Sequence, residues 1–288
     1  MTDSNNNPEA LTYKPKASVI ISVYKDIEAL NCILEALYKQ TEKDFEIIVT
    51  EDCESPDMAS FIQQRQHLSE LQQPRLYHLS QQDIGFRKTR AVNRAIAMAK
   101  ADYLIFLDGD CIPHFDWVKR HLALAKENRV LAGRRVHLGK IASKLIRRHP
   151  NLIHLLENRL IYTLLLLPLH LDHMRNFEIG FSSTLLQKLN RKKQPVLVGC
   201  NFSCHKKNMM QINGYNEDLP GAGGEDDDLC WRFAGFNIFT MNVKFLAIVY
   251  HLYHDARRID VSENLRILRA NQKINQYVCK NGIIKYDR

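Results

Sequence analysis

The chain has 288 residues, of which 45% are hydrophobic and 25% charged, and its formal net charge is +8. That composition supports a sizeable folded core and excludes a disordered or fibrous chain. The positive balance predicts anionic partners: nucleotide phosphates, an acidic glycolipid, an anionic membrane surface or nucleic acid.

Met1 to Glu9 is polar and asparagine-rich, with neither a basic n-region nor an apolar h-region. It predicts a short disordered lead, residues 1–15, and no signal peptide. Ala17 to Tyr24 (ASVIISVY) is β-branched and apolar on both faces, as in a buried parallel strand. Ile27 to Leu37 has helical apolar spacing, and Phe45 to Thr50 (FEIIVT) is a second buried strand ending at Glu51 and Asp52. Met58 to Leu71 reads as helix, Arg75 to Leu79 as a short strand and Thr89 to Lys100 as helix. Tyr103 to Leu107 (YLIFL) is a further apolar strand, ending at Asp108. This alternation predicts an α/β fold with a mostly parallel sheet flanked by helices, and function at the carboxyl ends of the strands. Tyr24 with Asp26, Glu51 with Asp52, and Asp108 with Asp110 then share one rim.

Past Gly133 the texture changes. Arg134, Arg135, Lys140, Lys144, Arg147, Arg148, Arg159, Arg175, Arg191, Lys192 and Lys193 are interleaved with leucine-rich segments. The apolar content is too high for disorder, so a basic helical insert over residues 133–195 is expected. It serves either as a lid on the catalytic domain or as a face that docks on a membrane. Its longest apolar run, Leu160 to Leu171, holds Pro168 and His170 and falls short of the about twenty residues a span needs, so no integral span is expected. The alternating texture resumes near Val196, Phe239 to Tyr250 offers further strand, and Val261 to Val278 reads as a basic amphipathic helix. The seven cysteines form no regular framework, which predicts reduced thiols and a cytoplasmic protein, peripheral at most on the inner face of the cell membrane. Cys200, Cys204 and His205 lack the spacing of a zinc site.

Three motifs carry chemistry. Asp108-Gly109-Asp110 follows a buried strand, where two carboxylates can share a hard divalent cation such as Mn²⁺ or Mg²⁺ that bridges to diphosphate oxygens. The competing reading is a pair of turn acids. Gly223-Gly224-Glu225-Asp226-Asp227-Asp228 packs four acids at a helix start, where one can act as general base toward an acceptor hydroxyl, or where all merely cap a surface helix. His251 and His254 end an apolar stretch, and an imidazole from either is a suitable further Mn²⁺ ligand, with His251 preferred. Arg87, Lys88 and Arg90 offer charge to a diphosphate or to solvent.

Taken together, these motifs resemble a family 2 glycosyltransferase with the A-type nucleotide-binding fold. The residues that carry the resemblance are 18–24, 47–52, 85–96 and 103–113, followed by 198–203, 213–219, 223–232 and 250–254. The later half is similar to the galactosyltransferase-type segment of β-1,4-galactosyltransferases and bacterial chondroitin-polymerase-like enzymes. The resemblance implies a nucleotide-sugar-binding half (16–132), a catalytic and acceptor-binding half (196–258) and a C-terminal basic helix (259–288). It implies that Ser22, Tyr24 and Asp52 line the nucleobase pocket, with Asp52 on the base's ring nitrogen, and that Arg87 and Asn93 sit under the nucleotide. Asp108 approaches the ribose or a metal-bound water, Gly109 lies against the nucleotide sugar, and Asp110 with His251 ligates Mn²⁺. Glu225 holds sugar hydroxyls and Asp226 is the base.

The implied reaction is inverting transfer of a hexose or N-acetylhexosamine from a UDP-sugar to a saccharide or glycolipid, in bacterial lipopolysaccharide or surface-polysaccharide assembly. Two departures stand out. Glu51-Asp52-Cys53-Glu54 replaces the usual D-D-G-S, and Pro220-Gly221-Ala222 stands where the galactosyltransferases carry tryptophan. A galactose donor therefore does not follow. The alternatives are a nucleotidyltransferase, against which this chain has Ser22 to Asp26 and no glycine-rich loop after its first strand, and a non-catalytic carbohydrate-binding module. No nucleic-acid reader motif is present, so nucleic acid is not expected as a partner.

Overall fold

The computed structural model describes residues 13–69, 74–190, 195–255 and 260–286. Among them, strands β1 (Ala17–Val23), β2 (Phe45–Glu51), β3 (Arg75–Ser80) and β4 (Tyr103–Asp108) form the first half. β5 (Cys111–Pro113), β6 (Arg129–Ala132), β7 (Arg134–His137), β8 (Asn201–His205), β9 (Phe239–Asn242) and β10 (Ile248–His251) follow. A seven-stranded sheet runs in the order β3-β2-β1-β4-β8-β6-β9, and a smaller sheet runs β5-β10-β7. β1 pairs in parallel with both β2 and β4, β2 with β3, and β6 with β9. β8 is antiparallel to β4 and β6. The large sheet is thus mostly parallel, as the alternating pattern predicts.

Its central strands are apolar on both faces because both faces are covered. Val19, Ile21, Ile47, Val49, Ile105 and Leu107 face one core, shared with helix Ile27–Tyr38 and the small sheet. Ile20, Ile48, Leu104, Phe106 and Phe202 face the other, shared with helices Lys88–Met98 and Glu225–Gly235. Successive side chains alternate between cores, the period-two geometry of a strand.

Asn201 joins the two sheets. Its amide donates to Arg134 O (3.0 Å) and Ala247 O (2.8 Å), while its Oδ1 accepts from Trp117 Nε1 (3.0 Å). Asn201, Trp117 and Ala247 are buried, so these bonds satisfy groups that would otherwise be stranded away from water.

The structure corrects several expected boundaries. The lead is anchored by residue 13: the Tyr13 hydroxyl donates to Phe45 O (3.2 Å), and the Arg75 guanidinium lies 4.2 Å from its ring centre. Residues 1–12, the rest of the expected lead, lie outside the described residues. The insert does not begin at 133, because Arg134–His137 is strand β7, paired with β10. Its charge imitates the insert's composition, yet Val136 is buried in the small sheet. The helical part starts at Lys140 and comprises Lys140–Arg148, Ile153–Glu157, Arg159–Leu171 and Thr184–Asn190. The strand expected in Phe239 to Tyr250 is present as β9 and β10, which lie in different sheets. The final helix spans Ser262–Lys273, shorter than expected, and the chain then packs back so that Ile283 is fully buried.

Candidate active site

The carboxyl ends of β1 and β4 lie side by side, with Ser22 paired to Asp108. At the turn after β4, Gly109 N–H donates to Ser22 O at 2.8 Å, and a Cβ on Gly109 would stand 2.8 Å from that oxygen. Only glycine permits this approach, and it holds Asp108 and Asp110 at the rim. Asp108 Oδ1 accepts from Ser22 Oγ (3.2 Å) and from Lys88 Nζ (2.5 Å). Lys88 opens helix Lys88–Met98, and its ammonium also feels Asp226 and Glu225. Burial weakens the charge on Lys88, but these three carboxylates hold its pKa far above the ordinary lysine value.

Asp110 faces a separate group. Its Oδ2 lies 3.3 Å from His251 Nε2 and 3.3 Å from His254 Nε2, and its Oδ1 accepts from the Cys111 thiol (3.2 Å). His251 ends β10 opposite Cys111 on one side and His137 on the other, with the His137 ring 5.0 Å away. Leu252 N–H donates to Asp110 O and Leu138 N–H to His251 O, both at 2.9 Å, so backbone bonds fix the cluster. Burial disfavours the Asp110 carboxylate, but hydrogen bonds from His251 and His254 more than offset it and hold the carboxyl well below its usual range. Burial, with His251 and Arg135 nearby, lowers His137 to about 4, which keeps it neutral.

Ligand atoms of Asp110, Cys111 and His251 lie within 4.8 Å of one another. An ionised carboxylate and imidazole nitrogens on one point fit Mn²⁺, and the carboxylate suits Mg²⁺ as well. Both histidines reach Asp110. His251 is the buried, strand-held one, and the His254 side chain is 47% exposed.

Glu225 and Asp226 start helix Glu225–Gly235 behind Gly223 and Gly224, whose φ values of 89° and 85° require glycine. Asp226 Oδ2 accepts from Gly199 N–H (2.8 Å), while Oδ1 is buried without a partner. Burial raises Asp226 to about 7, the Lys88 ammonium opposes the rise, and Glu225 adds to it. Glu225 Oε2 is likewise buried and unpartnered. Asp228 plays another part: it is buried and ion-paired to Arg232, which also donates to Ile212 O and Gly214 O.

Other expected site residues fall elsewhere. Asn93, expected under the nucleotide, is committed to the fold. It is fully buried, donates to Tyr215 O and Glu217 Oε1, and accepts from Tyr215 N–H (2.8 Å). With both amide hydrogens donated and one bond accepted, it locks residues 215–217 to the helix. Asp52, expected on the base's ring nitrogen, has its oxygens accepting from Gln81 Nε2 (2.6 Å) and Arg87 N–H (2.5 Å), which organises the loop before the helix. Arg87 donates to Gln82 O through its guanidinium and leaves Nε buried without a partner. Tyr24 is 43% exposed on the same rim, bonded to Asp83 beside Lys25. Sequence reasoning missed the Lys88–Asp108 pair, the Gly199 N–H and the His137 ring. The K-T-R spacing ahead of the helix was visible, but nothing local points it at Asp108.

The model for glycosyl transferase family 2 matches residues 18–207. The chain belongs to that family. A second model, described as the N-terminal domain of galactosyltransferase, matches residues 183–255. Among curated relatives, the validoxylamine A glucosyltransferase of Streptomyces hygroscopicus subsp. jinggangensis is 24% identical over 80% of this chain and 54% of its own length. The chondroitin synthase of Escherichia coli is 23% identical over 93% of this chain and 40% of its own. The hyaluronan synthase of Pasteurella multocida is 30% identical over 37% of this chain and 10% of its own. This family 2 chain spans about half the length, or less, of the curated relatives it matches. Two solved structures share its fold: GalNAc-T7 with UDP, GalNAc and Mn²⁺ (TM-score 0.61, 13% identity, 92% of this chain and 50% of that one), and the Pyrobaculum calidifontis mannosyltransferase PcManGT with GDP-Man and Mn²⁺ (TM-score 0.58, 14% identity, 92% and 64%). The chain thus combines membership of glycosyl transferase family 2 with the A-type fold, as the sequence resemblance implies.

Proposed function

We propose that this family 2 enzyme inverts the sugar's configuration as it moves a hexose or N-acetylhexosamine from a UDP-sugar to a saccharide or glycolipid. The setting is bacterial lipopolysaccharide or surface-polysaccharide assembly at the inner face of the cell membrane. One observation carries the reading: Asp226 has one oxygen held by Gly199 N–H, one buried oxygen free, and a pKa of about 7. A base poised near neutrality is suited to take an acceptor proton and return it to solvent. The Gly199 bond orients the carboxyl, so the free oxygen is the one that meets an acceptor hydroxyl. Glu225 beside it holds sugar hydroxyls through its unpartnered Oε2.

On the donor side, Lys88 and Asp108 bind and orient the nucleotide sugar, and Asp110 with His251, or with His254, would hold a divalent cation. When bound, that cation neutralises charge on the departing diphosphate. Two fold neighbours, one holding GDP-Man and Mn²⁺ and the other UDP, GalNAc and Mn²⁺, support this assignment. Direct displacement needs one base and no covalent intermediate, and among the described residues Asp226 is the acid whose pKa burial lifts to about 7.

The test is UDP release from a panel of UDP-sugars with Mn²⁺, with and without EDTA. EDTA-sensitive turnover that is lost in Asp110→Ala is expected; full activity in that variant sinks the metal assignment.

A further inference from the structure

Helix Arg159–Leu171 turns Leu160, Leu164, Leu167 and Leu171 to the outside, exposed by 78%, 79%, 70% and 73%. Steps of four, three and four residues put all four on one helical face. The opposite side is anchored: Tyr162 and Leu169 are buried, and the Tyr162 hydroxyl donates to Phe177 O (2.7 Å). The ridge is therefore held in place with its apolar side outward, the mark of an interaction surface. It continues onto a second helix. Asp172, just after the leucines, caps helix Lys140–Arg148 by accepting from Ile141 N–H (2.9 Å) and Ala142 N–H (2.8 Å). Ile141 is 65% exposed and Leu145 47%.

Charge selects the occupant. Residues 140–190 hold seven Lys/Arg and three Asp/Glu. Lys140, Lys144, Arg148 and Arg159 are exposed along the two helices. The acids are all engaged: Glu157 with His154 and Phe115 N–H, Asp172 as the cap, Glu178 with Lys244. A second copy set on this ridge would bring like charges together, and a seam of three turns is too short to hold alone. An anionic bilayer takes both the leucines and the bases. At 1.5 Å per residue the 13-residue helix is about 20 Å long, shorter than the about 30 Å apolar core, so it lies in the surface instead of crossing. Among the described residues no single helix is long and apolar enough to span, and the pair Pro150–Glu157 and Arg159–Leu171 is bent by 109°.

We infer that Leu160, Leu164, Leu167 and Leu171, with Ile141 and Leu145, form a membrane-binding face that lays the enzyme on an anionic lipid surface. This deepens the glycolipid-acceptor reading and rests on it for its purpose, though not for its measurement. The face is wired to the site: Ser143 Oγ accepts from Tyr253 N–H (2.8 Å), between His251 and His254. On the same helix Arg147 makes a two-pronged pair with Asp26 (2.6 and 2.8 Å). Docking therefore fixes the bilayer relative to the metal-binding segment.

The experiment is flotation of the full chain with phosphatidylcholine vesicles, with and without phosphatidylglycerol. Flotation only with phosphatidylglycerol, reversed by high salt, is expected. Leu164→Ser/Leu167→Ser and Lys144→Glu/Arg148→Glu should each cut recovery about tenfold. Unchanged melting temperatures and unchanged UDP release from a soluble UDP-sugar show the variants folded. Absence of flotation, equal flotation on pure phosphatidylcholine, or undiminished flotation of both variants overturns the proposal. A wild-type dimer in sedimentation that the leucine variant dissociates, without flotation, overturns it in favour of self-association. Loss of UDP release in every protein, with flotation intact, refutes the enzymatic reading alone.

Discussion

Lys88 Nζ sits 2.5 Å from Asp108 Oδ1 and in the field of Asp226, so one cation serves both the donor-side acid and the proposed base. Removing it changes more than donor affinity. The ammonium lowers the Asp226 pKa, so Lys88→Met should move the acid limb of the rate profile above its wild-type position as well as reduce kcat about a hundredfold. Rate against pH for both proteins is the measurement. An unmoved limb means the two side chains are not coupled.

The wild-type profile itself follows from Asp226. The base is the ionised form, so its fraction rises with pH through about 7. Turnover should fall tenfold per pH unit well below that value and level off above it. Asp226→Asn should lower kcat by about a thousandfold with little change in donor affinity, since the amide oxygen still accepts from Gly199 N–H.

That variant should also be the more stable protein. Burial raises the folded pKa of Asp226 to about 7 from an ordinary 3.8, so the folded state binds the proton more tightly than the unfolded one. Stability is then lost as pH rises between those values, and above 7 the enzyme carries a buried charge. At pH 8 Asp226→Asn should gain about 2 kcal/mol in denaturant unfolding, and the gain should shrink toward pH 4. Equal stability at both values would show that burial does not strain this carboxyl.

Metal affinity should divide the two histidines. His251 is held by β10 and its neighbours, whereas His254 is the more exposed. A fixed ligand loses less freedom on binding. His251→Ala should raise the Mn²⁺ concentration needed for half-maximal activity about tenfold or more, and His254→Ala less. Manganese titrations of activity decide it, and the reverse order would transfer the ligand role to His254.

Asn93→Ala is expected to cost about 2–4 kcal/mol of folding stability, because it strands buried groups of Tyr215 and Glu217. The donor KM should stay near wild type in the fraction that remains folded. A large rise in KM without loss of stability would restore its expected place at the nucleotide.

The strands of the first half were legible because their apolar runs are short, β-branched and cleanly interrupted. The rim chemistry followed, since a parallel sheet gathers its strand ends. Arg134–His137 was hidden because its two arginines match the helical segment beyond, and its pairing with β10 spans more than a hundred residues of chain. Asn93 sits in a motif that reads as functional, while its partners lie some 120 positions away. Local sequence carries no sign of such distant bonds. The same limit hid Gly199, where an added Cβ would stand 2.8 Å from Asp226 Oδ1.

Strand β8 lies between β4 and β6, although the whole helical segment separates it from both in sequence. During synthesis β4 and β6 must therefore wait, edges bare, until residues 201–205 emerge and zip the sheet shut. A fragment truncated before that point would leave one edge of β4 and both edges of β6 open and be prone to aggregate. The rim at β1 and β4 and the acidic helix therefore depend on one sheet that β8 completes.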